Sequence, residues 1–283
     1  MNAELMAVLF GLLASIGWGT GDFFGGLASK RAQTIVVVIL SQAVSAPALF
    51  GLALLFGEPW PSAFVVTLGL VFGTVGALAL TTFYGALASG RMGVVAPVSA
   101  IMAGALPVAV SLWFEGLPSL SVLIGLALAL VAVALISQNG DTTAAGWTTL
   151  RELAQPLLAG TLFGLLFVLI DQVPAGWLFW PLVVGRMTSM TLLTTLALRQ
   201  KHDFDTGRSI WPLLAVTGLT DAAGNAFFVA AVQTGRLDVS AVLASMYPAV
   251  TVLLAWQVLK ERLSVGQWLG VAVAIAAVIL IGL

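Results

Sequence analysis

Ten apolar stretches separated by short polar turns leave this chain one solvent in which it can fold. They run near 4–27, 35–56, 64–88, 93–113, 119–137, 155–171, 177–198, 211–233, 239–258 and 265–283. An α-helix needs about 20 apolar residues to cross the hydrocarbon core of a bilayer. Charged residues make up only 8% of the 283, against about 25% in a soluble domain. The stretches are apolar on every side, whereas strands of a membrane barrel alternate polar and apolar residues. The pattern predicts an all-α integral membrane protein with ten transmembrane helices.

The turns carry charges and turn formers: Ser29-Lys30-Arg31, Glu58-Pro59, Gly90-Arg91, Glu115-Gly116 and Lys260-Glu261-Arg262. The longest polar stretches are Gln138 to Glu152 and Arg199 to Ser209. The first divides the chain into two five-helix halves, residues 1–140 and 150–283. A shift of 145 residues lays the halves over each other. Phe83 then meets Phe228, Ala86 meets Ala231, and Gly90-Arg91 meets Gly235-Arg236. Ser119 meets Ser264 and Gly125 meets Gly270. Five is odd, so the second half must enter the membrane upside down. Such an inverted repeat lets one half rock against the other around a site at the bilayer midplane, which points to a transporter.

Composition removes other functions. A net charge of -1 without basic runs gives no case for nucleic acid. Cysteine is absent, which excludes disulfides and thiolate metal sites. The one histidine, His202, sits among Lys201, Asp203 and Asp205 and reads as part of a solvated loop. No phosphate-binding loop, dinucleotide fingerprint or metal-ligand cluster occurs, so no cofactor and no ATP are expected. Coupling would come from an ion gradient or from the substrate's own gradient. The N-terminal stretch has Glu4 where a cleavable signal carries a base, and its apolar run is too long, so the first span is expected to be retained.

Lys30, Arg31, Arg91, Arg151, Arg199, Lys201, Arg208, Lys260 and Arg262 all lie in the loops after odd-numbered helices. The other loops hold only Arg236. The positive-inside rule places the odd loops in the cytoplasm and both termini outside.

Particular segments resemble the drug/metabolite transporter superfamily, in its ten-helix form built from two EamA repeats. Phe83-Tyr84-Gly85-Ala86-Leu87 and Phe227-Phe228-Val229-Ala230-Ala231 end helices 3 and 8. Pro97, Pro107 and Pro248 lie in the fourth helix of each half. Lys260-Glu261-Arg262-Leu263 precedes Gln267-Trp268-Leu269-Gly270, where the first half has only Glu115-Gly116-Leu117. Gly17-Trp18-Gly19 in helix 1 is also similar to the family pattern. The resemblance implies alternating-access transport of small metabolites, with amino-acid exporters of the YddG kind as one branch. It implies a cavity lined by helices 1, 3, 4, 6, 8 and 9, and termini usually in the cytoplasm, opposite to the charge count.

Ionisable residues deep in lipid cost roughly 2.5–3.5 kcal/mol on insertion scales, so each asks for a reason. Asp221 lies midway along helix 8, with Asn225 one turn on. Asp221 would bind a substrate ammonium or carry a coupling proton. Arg186, in helix 7, is a fork for a carboxylate. Together they would hold both ends of a zwitterion, or simply pair with each other. A helix starting at Pro181 would move Arg186 towards the interface. Asp22 lies in Gly19-Thr20-Gly21-Asp22, formally the string of intramembrane aspartyl proteases. The companion segments of those enzymes are missing and their order is reversed, so a polar site in helix 1 is the preferred reading.

The aromatic set Trp18, Tyr84, Trp113, Phe163, Trp180 and Tyr247 would hold apolar parts or cations by its ring faces, while an interfacial belt is the preferred reading for Trp60, Trp113, Trp177, Trp211 and Trp268. Gly17-Gly21-Gly25 and Gly69-Gly73 suit close helix approach. The candidate binding set is Trp18, Asp22, Tyr84, Met102, Phe163, Arg186, Asp221, Asn225 and Tyr247. The sequence reads as a secondary transporter of the bacterial inner membrane. Its expected substrates are amino acids or similar neutral metabolites, with export implied by the resemblance and a quaternary-cation exporter as the alternative. Its partners are a small-molecule substrate and the lipid bilayer.

Overall fold

A computed structural model describes residues 3–89, 92–136, 150–260 and 263–281, with side chains for all of these but 84–89, 92–97, 136 and 150–152. The helices are α1 (Ala3–Ser29), α2 (Thr34–Leu55), α3 (Ala63–Ser89), α4 (Met92–Phe114), α5 (Leu120–Ile136) and α6 (Leu150–Asp171). The chain continues with α7 (Phe179–Arg199), α8 (Trp211–Thr234), α9 (Leu237–Ala244), α10 (Tyr247–Leu259) and α11 (Val265–Ile281). A 3₁₀ turn, Arg208–Ile210, leads into α8, and no strand occurs among the described residues. Among the described residues, seven stretches are long and apolar enough to cross a membrane, α9 and α10 counting together as Leu237–Leu259. Val98–Phe114, Leu120–Leu135 and Val265–Ile281 are shorter apolar helices. The chain is a multi-pass, all-helical membrane protein.

Its surface fits that solvent. Leu9, Ile16, Leu54, Leu70, Leu158, Leu192, Leu219 and Ile279 point outward, while Ser15, Ser45, Ser99, Ser111 and Ser240 are buried. Lipid offers no hydrophobic drive to bring such helices together, so close packing of small residues does so instead.

The expected single helix over 239–258 is broken. α9 ends at Ala244 and α10 begins at Tyr247. Pro248 has no N–H to give, and its ring would collide with the carbonyl four residues back. The chain tightens at the break: Met246 N–H donates to Leu243 O at 3.2 Å, and Ser245 Oγ donates to Val242 O at 2.8 Å. By contrast, α4 runs unbroken through Pro97 and Pro107.

Shifted by 145 residues, the bounds of α3, α4 and α5 fall on 208–234, 237–259 and 265–281. Those are the bounds of the 3₁₀ turn with α8, of α9–α10, and of α11. The main packing partnerships follow the same exchange. α1 packs on α8 as α6 does on α3; α2 packs on α8 as α7 does on α3; α4 packs on α6 as α9 and α10 do on α1. α5 meets α11, and α2 meets α7.

Four loops meet on one face. The Glu58 carboxylate accepts the N–H groups of Leu178, Phe179 and Trp180 at 2.7–3.2 Å. Trp177 Nε1 donates to Pro59 O at 3.0 Å. Arg236 reaches Asp238 at 2.9 Å, Gly116 O at 2.8 Å and Glu115 at 3.7 Å. On the opposite face His202 Nδ1 contacts Gln33 Oε1. The Gly90-Arg91 turn and most of the polar stretch from Gln138 to Glu152 lie outside the described residues.

Candidate functional site

The α1–α8 seam sets the site. A Cβ at Gly17 would lie 2.7 Å from Gly224 N and from Thr220 O, and one at Gly21 would lie 3.4 Å from Asp221 Cβ. With nothing larger between them the two helices touch backbone to backbone. Trp18 and Asp22 on α1 thus share a cavity with Asp221 and Asn225 on α8.

α7 is placed from two sides. Its first turn contains Pro181, but the helix already starts at Phe179 because Glu58 satisfies the free N–H groups there. An anion at this end also suits the helix dipole. Cβ atoms at Gly69 and Gly73 would lie 2.7 Å from Val184 Cβ and 2.5 Å from Gly185 O. This draws α3 onto α7 and leaves Arg186 two turns inside the helix. The helix thus starts at Phe179, between the two starts the sequence left open, Trp177 and Pro181, with Arg186 inside it.

The empty space of the cavity, together with the open solvent at its mouth, amounts to about 1020 Å³. Its wall includes Trp18 and Asp22 (α1), Phe72 and Phe83 (α3), Ala103 (α4), Phe163 and Phe167 (α6), and Tyr247 (α10). α2 contributes Gln42, and α7 contributes Leu182, Arg186 and Ser189. The helix set implied by the resemblance therefore lacked α2 and α7.

Arg186 Nη2 is bonded to Asp221 Oδ2, the two side chains 14% and 36% exposed. Asn225 Nδ2 donates to Asp221 O at 2.7 Å and lies 3.4 Å from Asp221 Oδ2. Asp22 is exposed within the cavity, and no hydrogen bond or ion pair reaches it among the described residues. Asp221 is engaged by Arg186, and no hydrogen bond joins it to Asp22. Arg186 is the one cation among the described lining residues.

The aromatic wall is stacked. Trp18 lies on Phe167 with ring centroids 5.3 Å apart and planes 1° apart, and Phe228 tilts against both. Phe83 meets Phe163 edge-on at 5.8 Å. Tyr247 begins α10, and its carbonyl lies 2.5 Å from where a Cβ of Gly19 would stand. The helix break thus abuts α1 beside Trp18.

Seven of the nine candidate residues lie on this cavity: Trp18, Asp22, Phe163, Arg186, Asp221, Asn225 and Tyr247. The side chain of Tyr84 lies outside the described residues. Met102 is not part of the lining; it packs on α6, its Cβ 2.6 Å from the position of a Gly160 Cβ. Trp180 meets Phe50 edge-on and Trp60 at a tilt, and it is not part of the cavity lining. Gln42 and Ser189 were missed. The available signals were a lone amide in the middle of an apolar span and a hydroxyl one turn beyond Arg186. Nothing in the sequence distinguishes Phe167 from the surrounding apolar residues.

Residues 153–283 match the model of the EamA-like transporter family. A crystal structure superposes with a TM-score of 0.76 at 16% identity, covering 97% of each chain. At that identity the likeness concerns the fold. No curated protein sequence matches the chain.

Proposed function

We propose that the protein is a secondary transporter that exports amino acids and similar small amphoteric metabolites across the bacterial inner membrane by alternating access. The observation that carries this is the Arg186–Asp221 pair on the wall of an aromatic-lined cavity between the halves. The guanidinium takes the substrate carboxylate and Asp221 takes its ammonium, while Trp18, Phe163 and Tyr247 hold the side chain. Tyr84, on the same helix as Phe83, belongs to this proposed set. When the cavity is empty the two charges neutralise each other, which lowers the cost of holding them in the membrane. A zwitterion exchanges one ion pair for two at no change in net charge.

The architecture proposed is ten spans in two inverted five-helix repeats, residues 1–140 and 150–283. The coincident helix bounds, the exchange-symmetric packing and the family match over the second half support it. The Lys and Arg bias supports odd loops in the cytoplasm.

The test is uptake into proteoliposomes by wild type, Asp221→Asn, Arg186→Gln and the double variant, with thermal unfolding measured in parallel. Each single change leaves one charge unpaired and should cost roughly 2–3 kcal/mol, less than the 3–5 of a fully buried pair because Asp221 is partly exposed. The double variant should regain stability yet stay at least tenfold down in transport. Recovery of transport in the double variant would make the pair structural only.

One observation favours a second reading, a cation exporter. Asp22 is unpaired and one helical turn from Trp18, so an acid and an aromatic face meet the same space. Adding a lipophilic cation to the same assay separates the two. Competition that disappears in Asp22→Asn supports the second reading, and its absence supports the first.

A further inference from the structure

Among the described residues, four buried side-chain polar atoms have no hydrogen-bond partner: Gln42 Oε1, Trp180 Nε1, Ser189 Oγ and Thr217 Oγ1. Two of them, Gln42 Oε1 and Ser189 Oγ, belong to residues that line the cavity. They sit on α2 and α7, which pack against each other and are the helices the resemblance did not assign to the cavity. Gln42 is 3% and Ser189 6% exposed. Ser189 lies three residues beyond Arg186, on the same side of α7.

A buried polar atom without a partner is rare in a folded protein, and an unoccupied binding site is one physical reason for it. Ordinary repair within the membrane is available to hydroxyls, as Thr188 Oγ1 shows by donating to Val184 O at 2.8 Å. Ser189 does not use that route. Gln42 offers an acceptor, and Ser189 offers a hydroxyl that can donate or accept. The ligand group that answers both is one that donates and accepts from the same atom or from neighbouring atoms: a hydroxyl or a carboxamide.

We infer that Gln42 and Ser189 form a specificity subsite for a neutral polar group on the side chain of the transported metabolite. The inference rests on the reading of the cavity as an amino-acid site and adds a preference within it. The ammonium and carboxylate go to Asp221 and Arg186, and the side-chain hydroxyl or amide reaches the α2–α7 wall. Hydroxylated or amidated amino acids are then favoured over aliphatic ones of the same shape. A site built to bond a hydroxyl rejects the analogue that lacks it, because its own polar groups stay unmatched.

The experiment uses the full-length protein in proteoliposomes and compares serine with alanine and threonine with valine, each pair differing at the hydroxyl. Wild type should favour the hydroxylated member of each pair by about tenfold, the size expected for one or two buried hydrogen bonds. In Gln42→Leu and Ser189→Ala the ratio should fall towards one. Ser189→Ala removes a single atom and serves as the test if Gln42→Leu does not fold. A wild-type ratio near one, or a ratio unchanged in the variants, overturns the subsite and means that the two atoms are satisfied by water. Failure of wild type to move any of the four amino acids instead overturns the amino-acid reading on which the subsite depends.

Discussion

Arg236 carries the positive charge on a face whose loops otherwise have none, and its neighbours account for it. Asp238, fully buried, accepts from its Nε at 3.1 Å and its Nη2 at 2.9 Å, and Glu115 lies 3.7 Å from Nε. The hydrogen bonds to Asp238 push the Arg236 guanidinium above its ordinary value, with Glu115 adding to the effect. The residue therefore stays charged throughout the neutral range, and its charge is balanced locally. Removing it strands a buried carboxylate, which costs about 3–5 kcal/mol when a buried pair is broken on one side. Arg236→Gln should lower the unfolding temperature of the purified protein clearly, and adding Asp238→Asn should restore most of it. An unchanged unfolding temperature in Arg236→Gln would show that the cluster holds nothing together. Residues of this kind were the most legible part of the site. Arg186, Asp221, Asn225 and Asp22 stood out because a charge or amide in an apolar span needs a reason to be there. The pairing of Arg186 with Asp221 was one of the arrangements open in the sequence, and it is the one present here.

At the scale of the helix, the α1–α8 seam is the contact on which the cavity depends. Gly17→Ala puts a methyl group 2.7 Å from backbone atoms of α8, which no side-chain rotation can relieve. Overpacking of this kind costs typically 1–3 kcal/mol, and it moves Trp18 and Asp22 away from Asp221. The variant should unfold at lower temperature and transport at least tenfold more slowly. Gly26→Ala on the same helix meets nothing within 4 Å and should match wild type in both measurements. Equal behaviour of the two variants would contradict the seam. This contact was readable in the sequence, since Gly17, Gly21 and Gly25 repeat at helical spacing. The break in the ninth span was readable only in part, since Pro248 interrupts its helix while Pro97 and Pro107 do not. The roles of α2 and α7 were hidden for another reason. In lipid the outward and inward faces of a helix are both apolar, so hydropathy does not reveal which face meets a cavity.

Across the whole molecule, loops from both halves close one face through Glu58 and Arg236, and the cavity lies between helices of both halves. The coincidence of helix bounds under one shift extends far beyond the few residue identities that first suggested it. Helix lengths and packing partners can persist where apolar side chains have exchanged freely. The central proposal is that this cavity opens to each face in turn. The chain has no cysteine, so single cysteines can be introduced without background. The direct measurement is reaction of Leu80→Cys, on the cavity wall, with an impermeant thiol reagent applied to either side of oriented vesicles. Gly176→Cys and Lys201→Cys mark the two faces. The account predicts that each marker reacts from one side only, the two from opposite sides, and that the cavity cysteine reacts from both sides and is protected by transported substrate. A cavity cysteine that reacts from one side alone, with substrate making no difference, would contradict it.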